Sequence, residues 1–329
     1  MVPAMAIGLT LAAAPQDVVA EAKKRPVAAK KGSPADRQTA QRTAHKKKGV
    51  VQARPAQPQA IPVARKAAAA TAPGWDEPEI QSSAVAVIDQ RTGAILYEKN
   101  ANAVMPIASI TKLMTAMVVL DAKPDLDEIM TISHADMDTL KGTSSRLAIG
   151  TQLTREEMLR LALMSSENRA AAALSRHYPG GRPAFVAAMN AKAHELGLKD
   201  THFADATGLS PANVSSAHDL IGLVAAAHSY PLIREFSTSE QYQVAIKGRP
   251  QIFRNTNALV KSDSWSIGLS KTGFISEAGK CLVMQAWFDN RPTIIVLLDS
   301  WGKLTRIGDA NRIRRWIESA AAQGGALRS

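Results

Sequence analysis

Residues 105–116 read MPIASITKLMTA, and within them the chain changes its period. Just upstream, residues 83–89 (SAVAVID) and 94–99 (AILYEK) are rich in strand formers and flank the turn Gln90-Arg91-Thr92-Gly93. From Ser109 to about Leu120 the apolar side chains of Ile110, Leu113, Met114, Met117 and Val118 fall on one helical face. The pattern stays helical through 154–176, with an interruption near Ser165-Ser166, and again through 182–196 and 216–229. Ser216 is placed to cap the last of these, with Asp219 completing a variant of the capping box. Strand signals return at 266–273, 280–288 and 293–299, and an amphipathic helix closes the chain over about 303–322. Two strands open the domain, helices fill its middle, and three strands and a helix end it. Strands and helices segregated in this way predict an α+β fold in which the first and last strands meet in one antiparallel sheet.

The chain has 329 residues, 46% of them hydrophobic and 21% charged, enough for a sizeable core. The net charge of +11 is unevenly spread: residues 1–74 hold 13 of the 40 Lys+Arg but only 3 of the 29 Asp+Glu. The rest is nearly neutral, which speaks against a folded nucleic-acid-binding surface. Residues 1–14 are a short apolar run, and we expect 1–22 to act as a signal-peptide-like segment. Residues 23–74, dominated by Ala, Lys, Arg, Pro and Gln, read as a disordered basic linker able to touch anionic surfaces weakly. Folding is expected to begin at about residue 75 and to run to 329.

Three short motifs carry chemistry. Ser109-Ile110-Thr111-Lys112 is an S-x-x-K. One helical turn brings the lysine amine to the serine hydroxyl, a poor nucleophile until a base takes its proton. Lysine serves as that base when burial or nearby cations depress its pKa. A serine at a helix start also sits where free N–H groups favour a developing oxyanion. Ser166-Glu167-Asn168 follows a strongly apolar helix, at a break from which polar side chains can project into a cleft. Lys271-Thr272-Gly273 ends a strand; on an edge strand Lys271 and Gly273 share one face and Thr272 takes the other. Each motif alone has a bland reading, and a second S-x-x-K, Ser300-Trp301-Gly302-Lys303, lies downstream of the Lys-Thr-Gly.

Taken in order, the three motifs resemble the signature of penicillin-recognising serine enzymes. The stretches MPIASITKLMTA, ALMSSENRAAAAL, DATGLSPANVSSAHDL and KTGFISEAGKCLVM are similar to the low-molecular-mass penicillin-binding proteins, and within these to the D-alanyl-D-alanine endopeptidases. The resemblance implies a β-lactamase/transpeptidase-like fold, a five-stranded antiparallel sheet flanked by helices with a helical subdomain. It implies Ser109 as nucleophile, Lys112 as its base, and Ser166 with Lys271 relaying a proton to the leaving amine. Asn168, Lys271, Thr272 and Gly273 would bind substrate, and the N–H groups of Ser109 and Phe274 would form the oxyanion hole. The implied partners are peptidoglycan stem peptides, with β-lactams as covalent inhibitors, in the bacterial periplasm; no metal, cofactor or nucleic acid is implied. A carboxypeptidase is the nearest alternative, and a non-catalytic cell-wall-binding protein using the basic tail is a more distant one. A class A β-lactamase lacks support because no Glu-x-x-Leu-Asn lies between Asn168 and Lys271. A zincin is unsupported because His194-Glu195 has no second histidine at the required spacing. His218 reads as structural, and the lone Cys281 as a small buried strand residue.

Overall fold

The computed structural model describes residues 77–326, with side chains to residue 320. The signal-like segment and the basic linker lie outside the described residues.

Strand β1 (Ala84–Asp89) is buried at every position, so it must be covered on both faces. Its neighbour β2 (Ile95–Lys99) forms one edge of a five-stranded sheet. The other three strands are β3 (Ser266–Ile275), β4 (Gly279–Phe288) and β5 (Arg291–Ser300). The order is β2–β1–β5–β4–β3, antiparallel throughout. Thus the first and last strands pair, Val87 opposite Ile295, as the sequence pattern requires.

Alternation divides the sheet residues between two layers. Val85, Val87, Leu282, Met284 and Leu297 pack with Ala310, Ile313 and Ile317 of the closing helix α7 (Thr305–Ala326). Ala84, Ala86, Ile88, Val283 and Val296 pack into the larger helical core. Asp309 of α7 is fully buried and accepts from Gln81 N (3.0 Å), Ser82 N (2.8 Å) and Ser82 Oγ (2.6 Å). A charge-assisted clamp of this kind fixes the register of the opening strand on the closing helix.

The helical layer is centred on α1 (Lys112–Asp121), of which Lys112 through Val119 are buried. A helix buried on all sides is an internal strut, and α1 reads as one. Around it stand α2 (Arg155–Met164), α3 (Asn168–Arg176), α4 (Gly181–Glu195), α5 (Ala217–His228) and α6 (Pro231–Thr238). The expected interruption of 154–176 separates α2 from α3, and Ser166 sits there at φ +60°. Ser216 caps α5 by accepting from Asp219 N at 3.2 Å. The second half of that capping box does not form: the Asp219 carboxylate turns instead to Asp200 N and Thr201 Oγ1. Helix α6 and the hairpin Gln241–Ile246/Arg249–Arg254 were not foreseen from the pattern. Pro231 at the first helical turn and Lys247-Gly248, both at positive φ in the hairpin turn, are the local signals that mark them.

Candidate active site

The serine of the first motif does not start α1 itself. It lies in a 3-10 turn, Ala108–Thr111, that feeds into α1. Ala108 holds φ +47°, a left-handed conformation that a non-glycine residue adopts only when its surroundings enforce it. Those surroundings are close. A Cβ added to Gly273 would lie 2.9 Å from Ile107 O and 3.2 Å from Ser109 N, and one on Gly208 would lie 2.0 Å from Ala108 O. Edge strand β3 and the 204–213 loop therefore press on the turn from two sides, and only glycine allows either contact.

Asn213 ties that loop to the turn. Fully buried, it accepts from Ala204 N (2.7 Å) and Asp205 N (3.0 Å) and donates to Thr111 Oγ1 (3.0 Å) and Asp205 O (2.9 Å). Its own carbonyl receives Ile107 N at 3.0 Å. Asp205 in turn accepts from Thr207 N, Thr207 Oγ1, Gly208 N and Ser210 N, which shapes the loop so that Thr207 O faces the site.

Lys112 is 1% exposed and makes three hydrogen bonds through Nζ: to Ser109 Oγ at 2.7 Å, Asn168 Oδ1 at 2.8 Å and Thr207 O at 2.6 Å. A second lysine pair lies alongside. Lys271, also 1% exposed, donates to Ser166 Oγ and to Thr272 O, both at 2.9 Å. Asn168 completes its contacts through Nδ2 to Thr143 Oγ1 at 3.2 Å. Ser109, Lys112, Ser166, Asn168 and Lys271, drawn from motifs 57 and 105 residues apart, thus converge on one cleft. Gly273 lines the cleft on the Lys271 face of β3. Thr272 takes the opposite face, its hydroxyl 2.6 Å from that of Thr256, and Phe274 is 59% exposed at the strand's end. The second S-x-x-K assembles nothing of the kind, since Ser300 is buried against Ser82 Oγ and Lys303 is exposed.

The sequence model of the D-alanyl-D-alanine carboxypeptidase family matches residues 68–302. The chain belongs to this family. It is 51% identical over 244 residues to a Pseudomonas aeruginosa D-alanyl-D-alanine endopeptidase, a match covering 73% of this chain and 78% of that one. It is 48% identical over 268 residues to an Escherichia coli D-alanyl-D-alanine endopeptidase, covering 80% and 84%. Among solved structures, a Streptomyces DD-transpeptidase superposes with a TM-score of 0.68 at 31% identity, over 73% of this chain and 98% of the other. The chain is thus a serine DD-peptidase with the transpeptidase fold.

The electrostatics of this DD-peptidase suit a lysine base. Burial strips Lys112 of water and brings its pKa down to about 7, against the opposing pull of Asp205 and Glu167. Lys271 is held well below its ordinary value, first by burial, then by the charges of Lys112 and Arg306. Arg306, a residue that sequence reasoning missed, reaches from α7 to donate to Gly273 O (3.0 Å) and Cys281 O (3.2 Å). Nothing in an amphipathic helix pattern marks such a residue. Cys281 itself is buried as expected, with its thiol pushed up to about 11 by desolvation.

Glu167, the middle residue of the second motif, points away from the cleft. It accepts from Ser145 Oγ (2.7 Å) and Arg146 Nε (3.4 Å), while Arg146 lies 4.0 Å over the Phe253 ring. Together with the Asn168–Thr143 bond, these contacts hold the 138–146 loop at the mouth of the site. Lys141 of that loop pairs with Glu277 in the β3–β4 turn, spanning the cleft.

Proposed function

We propose that this DD-peptidase is an endopeptidase that hydrolyses D-alanyl cross-links of peptidoglycan through an acyl-enzyme on Ser109. The observation that carries the reading is the 2.7 Å contact between Ser109 Oγ and a lysine amine that is half neutral near pH 7. In the neutral state the amine accepts the hydroxyl proton while Oγ bonds to the peptide carbonyl carbon. The N–H groups of Ser109 and Phe274 receive the oxyanion. As the C–N bond breaks, Ser166 and Lys271 deliver a proton to the leaving amine. Water then hydrolyses the ester and regenerates Ser109. Asn168 holds the substrate amide and Lys271 the carboxylate of the leaving group; Thr272, expected to share that carboxylate, turns its hydroxyl instead to Thr256 on the other face of β3, and Gly273, expected to make room for substrate, lets the strand close on the turn that carries Ser109. β-Lactams acylate the same serine and are released slowly. The endopeptidase preference is supported by the names of the two relatives at about half identity. A carboxypeptidase is the second reading, favoured by the family description. Export to the bacterial periplasm accords with the apolar residues 1–14 and with a wall-bound substrate, the basic stretch 23–74 making at most weak contacts with anionic surfaces.

Intact-mass measurement after incubation with penicillin, followed by digestion of cross-linked muropeptide dimers, tests the reading. One adduct per chain and conversion of dimers to monomers is the expected result. Release of terminal D-alanine alone would make the protein a carboxypeptidase, and a folded protein without adduct would sink the Ser109 assignment.

The pKa of Lys112 also fixes a pH dependence. Because the neutral amine is the active form, acylation by penicillin should climb about tenfold per pH unit below 7 and level off above it. Pre-steady-state acylation rates between pH 5 and 9 check this; a flat profile would mean that Lys112 is not the base.

A further inference from the structure

Three large apolar side chains stand in solvent at one end of the sheet, and neither the core nor the mechanism above uses them. Trp301 is 78% exposed, Leu304 69% and Phe274 59%. The strand register places them at one margin. Phe274 of β3 lies opposite Lys280 of β4, Lys280 lies opposite Ser300 of β5, and Trp301 follows directly. Two strand spacings, about 10 Å, separate Phe274 from Ser300. Leu304, three positions after Trp301, stands at the start of α7, where its carbonyl accepts from Ile307 N (3.0 Å) and Gly308 N (2.9 Å).

The backbone presents Trp301 in a defined turn. Asp299 at φ +51° and Gly302 at φ +83° bracket it in left-handed conformation. A Cβ on Gly302 would lie 2.7 Å from Thr305 Oγ1, so glycine lets the turn fold back on the first residue of α7. Beside it, Lys280 Nζ lies 4.6 Å from the centroid of the Phe274 ring. The patch is therefore aromatic and aliphatic with a cation set into it, and Lys303 adds a second, exposed one.

An exposed apolar patch rimmed by polar groups marks a docking surface. This one is continuous with the catalytic cleft, because Phe274 directly follows Gly273, the residue that closes on Ser109 N. On the proposed reading β3 holds the leaving group, so the patch lies where the leaving stem peptide runs back to its sugar chain. A stem of three or four residues spans about 10–14 Å when extended, comparable to the two strand spacings that separate β3 from Trp301. The chemistry agrees. Hexosamine rings offer C–H faces that stack on an indole, acetamido methyls suit leucine, and lysine ammonium groups donate to ring hydroxyls and acetamido carbonyls. A lipid surface fits less well. Ile307, Ala310, Ile313 and Ile317 pack against the sheet, so these turns of α7 leave no apolar face to lie in a bilayer.

We infer that Trp301, Leu304 and Phe274 form a docking surface for the N-acetylhexosamine chain that carries the leaving stem peptide. The inference rests on the acyl-enzyme reading and adds to it the sugar part of the substrate.

The test uses the full-length protein in two assays. The first needs no turnover: titration calorimetry with the tetramer of β-1,4-linked N-acetylglucosamine, which is uncharged and so is not drawn to the basic residues 23–74. Trp301→Ala should weaken binding by roughly tenfold or more, Leu304→Ser by less, and Trp301→Phe should stay within about twofold of wild type. The second compares cross-linked muropeptide dimers that keep their disaccharides with the same dimers freed of sugar. The sugar should lower KM by roughly fivefold or more at unchanged kcat, as binding felt equally by substrate and transition state does. Trp301→Ala should bring the two KM values within about twofold, with penicillin acylation, turnover of sugar-free dimers and thermal melting as in wild type. Absence of tetramer binding by wild type, or tetramer binding and a sugar effect that survive Trp301→Ala, overturns the surface. Trp301-dependent sedimentation with phosphatidylcholine vesicles, without tetramer binding, would assign the patch to lipid and equally overturn it. If penicillin forms no adduct on wild type, the acyl-enzyme reading has failed, and the titration still decides whether the patch binds sugar.

Discussion

Ser109→Ala should abolish the penicillin adduct, and Lys112→Met should slow its formation by about 10³-fold or more while leaving Ser109 in place. The alanine variant lacks the atom that becomes acylated, so no slow phase should remain. The methionine variant isolates the base. Its side chain fills most of the same buried volume in α1 but cannot accept the Ser109 proton. A hydroxyl without a base within reach is a weak nucleophile at neutral pH. The loss should fall on the acylation rate constant, and the rise in rate between pH 5 and 7 should vanish with the group that causes it. Circular dichroism and thermal melting would show that the fold persists, because Lys112 is one of many buried α1 residues and its neighbours Leu113, Met114 and Met117 still pack the helical core. Full acylation by Lys112→Met would move the role of base to Lys271 and its partner Ser166. Those two groups are the only other lysine–serine hydrogen-bonded pair seen at the cleft among the described residues.

The parts of this molecule that declare themselves in the sequence are those whose physics is local. The sheet is legible because β1, β4 and β5 are covered on both faces, so their apolar runs are nearly unbroken. The motif residues are legible because fixed spacing does the work: Lys112 lies three positions after Ser109, and alternation alone puts Lys271 and Gly273 on one face of β3. The hairpin over 241–254 is harder to see. It packs through Val244 and Phe253 but is otherwise half-exposed, which blurs the alternation. Thr207 escapes notice for a different reason. It serves through its carbonyl oxygen, which every residue has, across 95 positions of sequence from Lys112. Asn213 acts over a similar separation, 102 positions, on the Thr111 hydroxyl, and Arg306 over 33 and 25 positions on the carbonyls of Gly273 and Cys281. Chemistry done by side chains at short spacing leaves a pattern, whereas positioning done through the backbone at long range leaves none.

That distinction gives Gly208 an importance its residue type conceals. Gly208→Ala should cost about 3 kcal/mol or more of stability and lower acylation by roughly 10²-fold or more. Two penalties combine. At φ +80° any Cβ is strained, by about 1–2 kcal/mol. Here the new methyl would also stand 2.0 Å from Ala108 O, 2.4 Å from Ala108 C and 2.9 Å from Ser109 N, all of them backbone atoms. No rotamer change relieves such a clash; the 204–213 loop and the catalytic turn must separate. Asn213 resists that separation through its bonds to both, so the strain passes to the turn that aims Ser109 and to the carbonyl of Thr207 that holds Lys112. Gly248→Ala provides the comparison. Its φ of +74° carries a similar conformational penalty, but nothing lies within 4 Å of the added methyl. It should lose only the strain energy and acylate at the normal rate. Thermal melting with penicillin-acylation kinetics on both variants separates the terms. If the two glycines respond alike, the packing of the loop against the nucleophile is not what sets the geometry of the site.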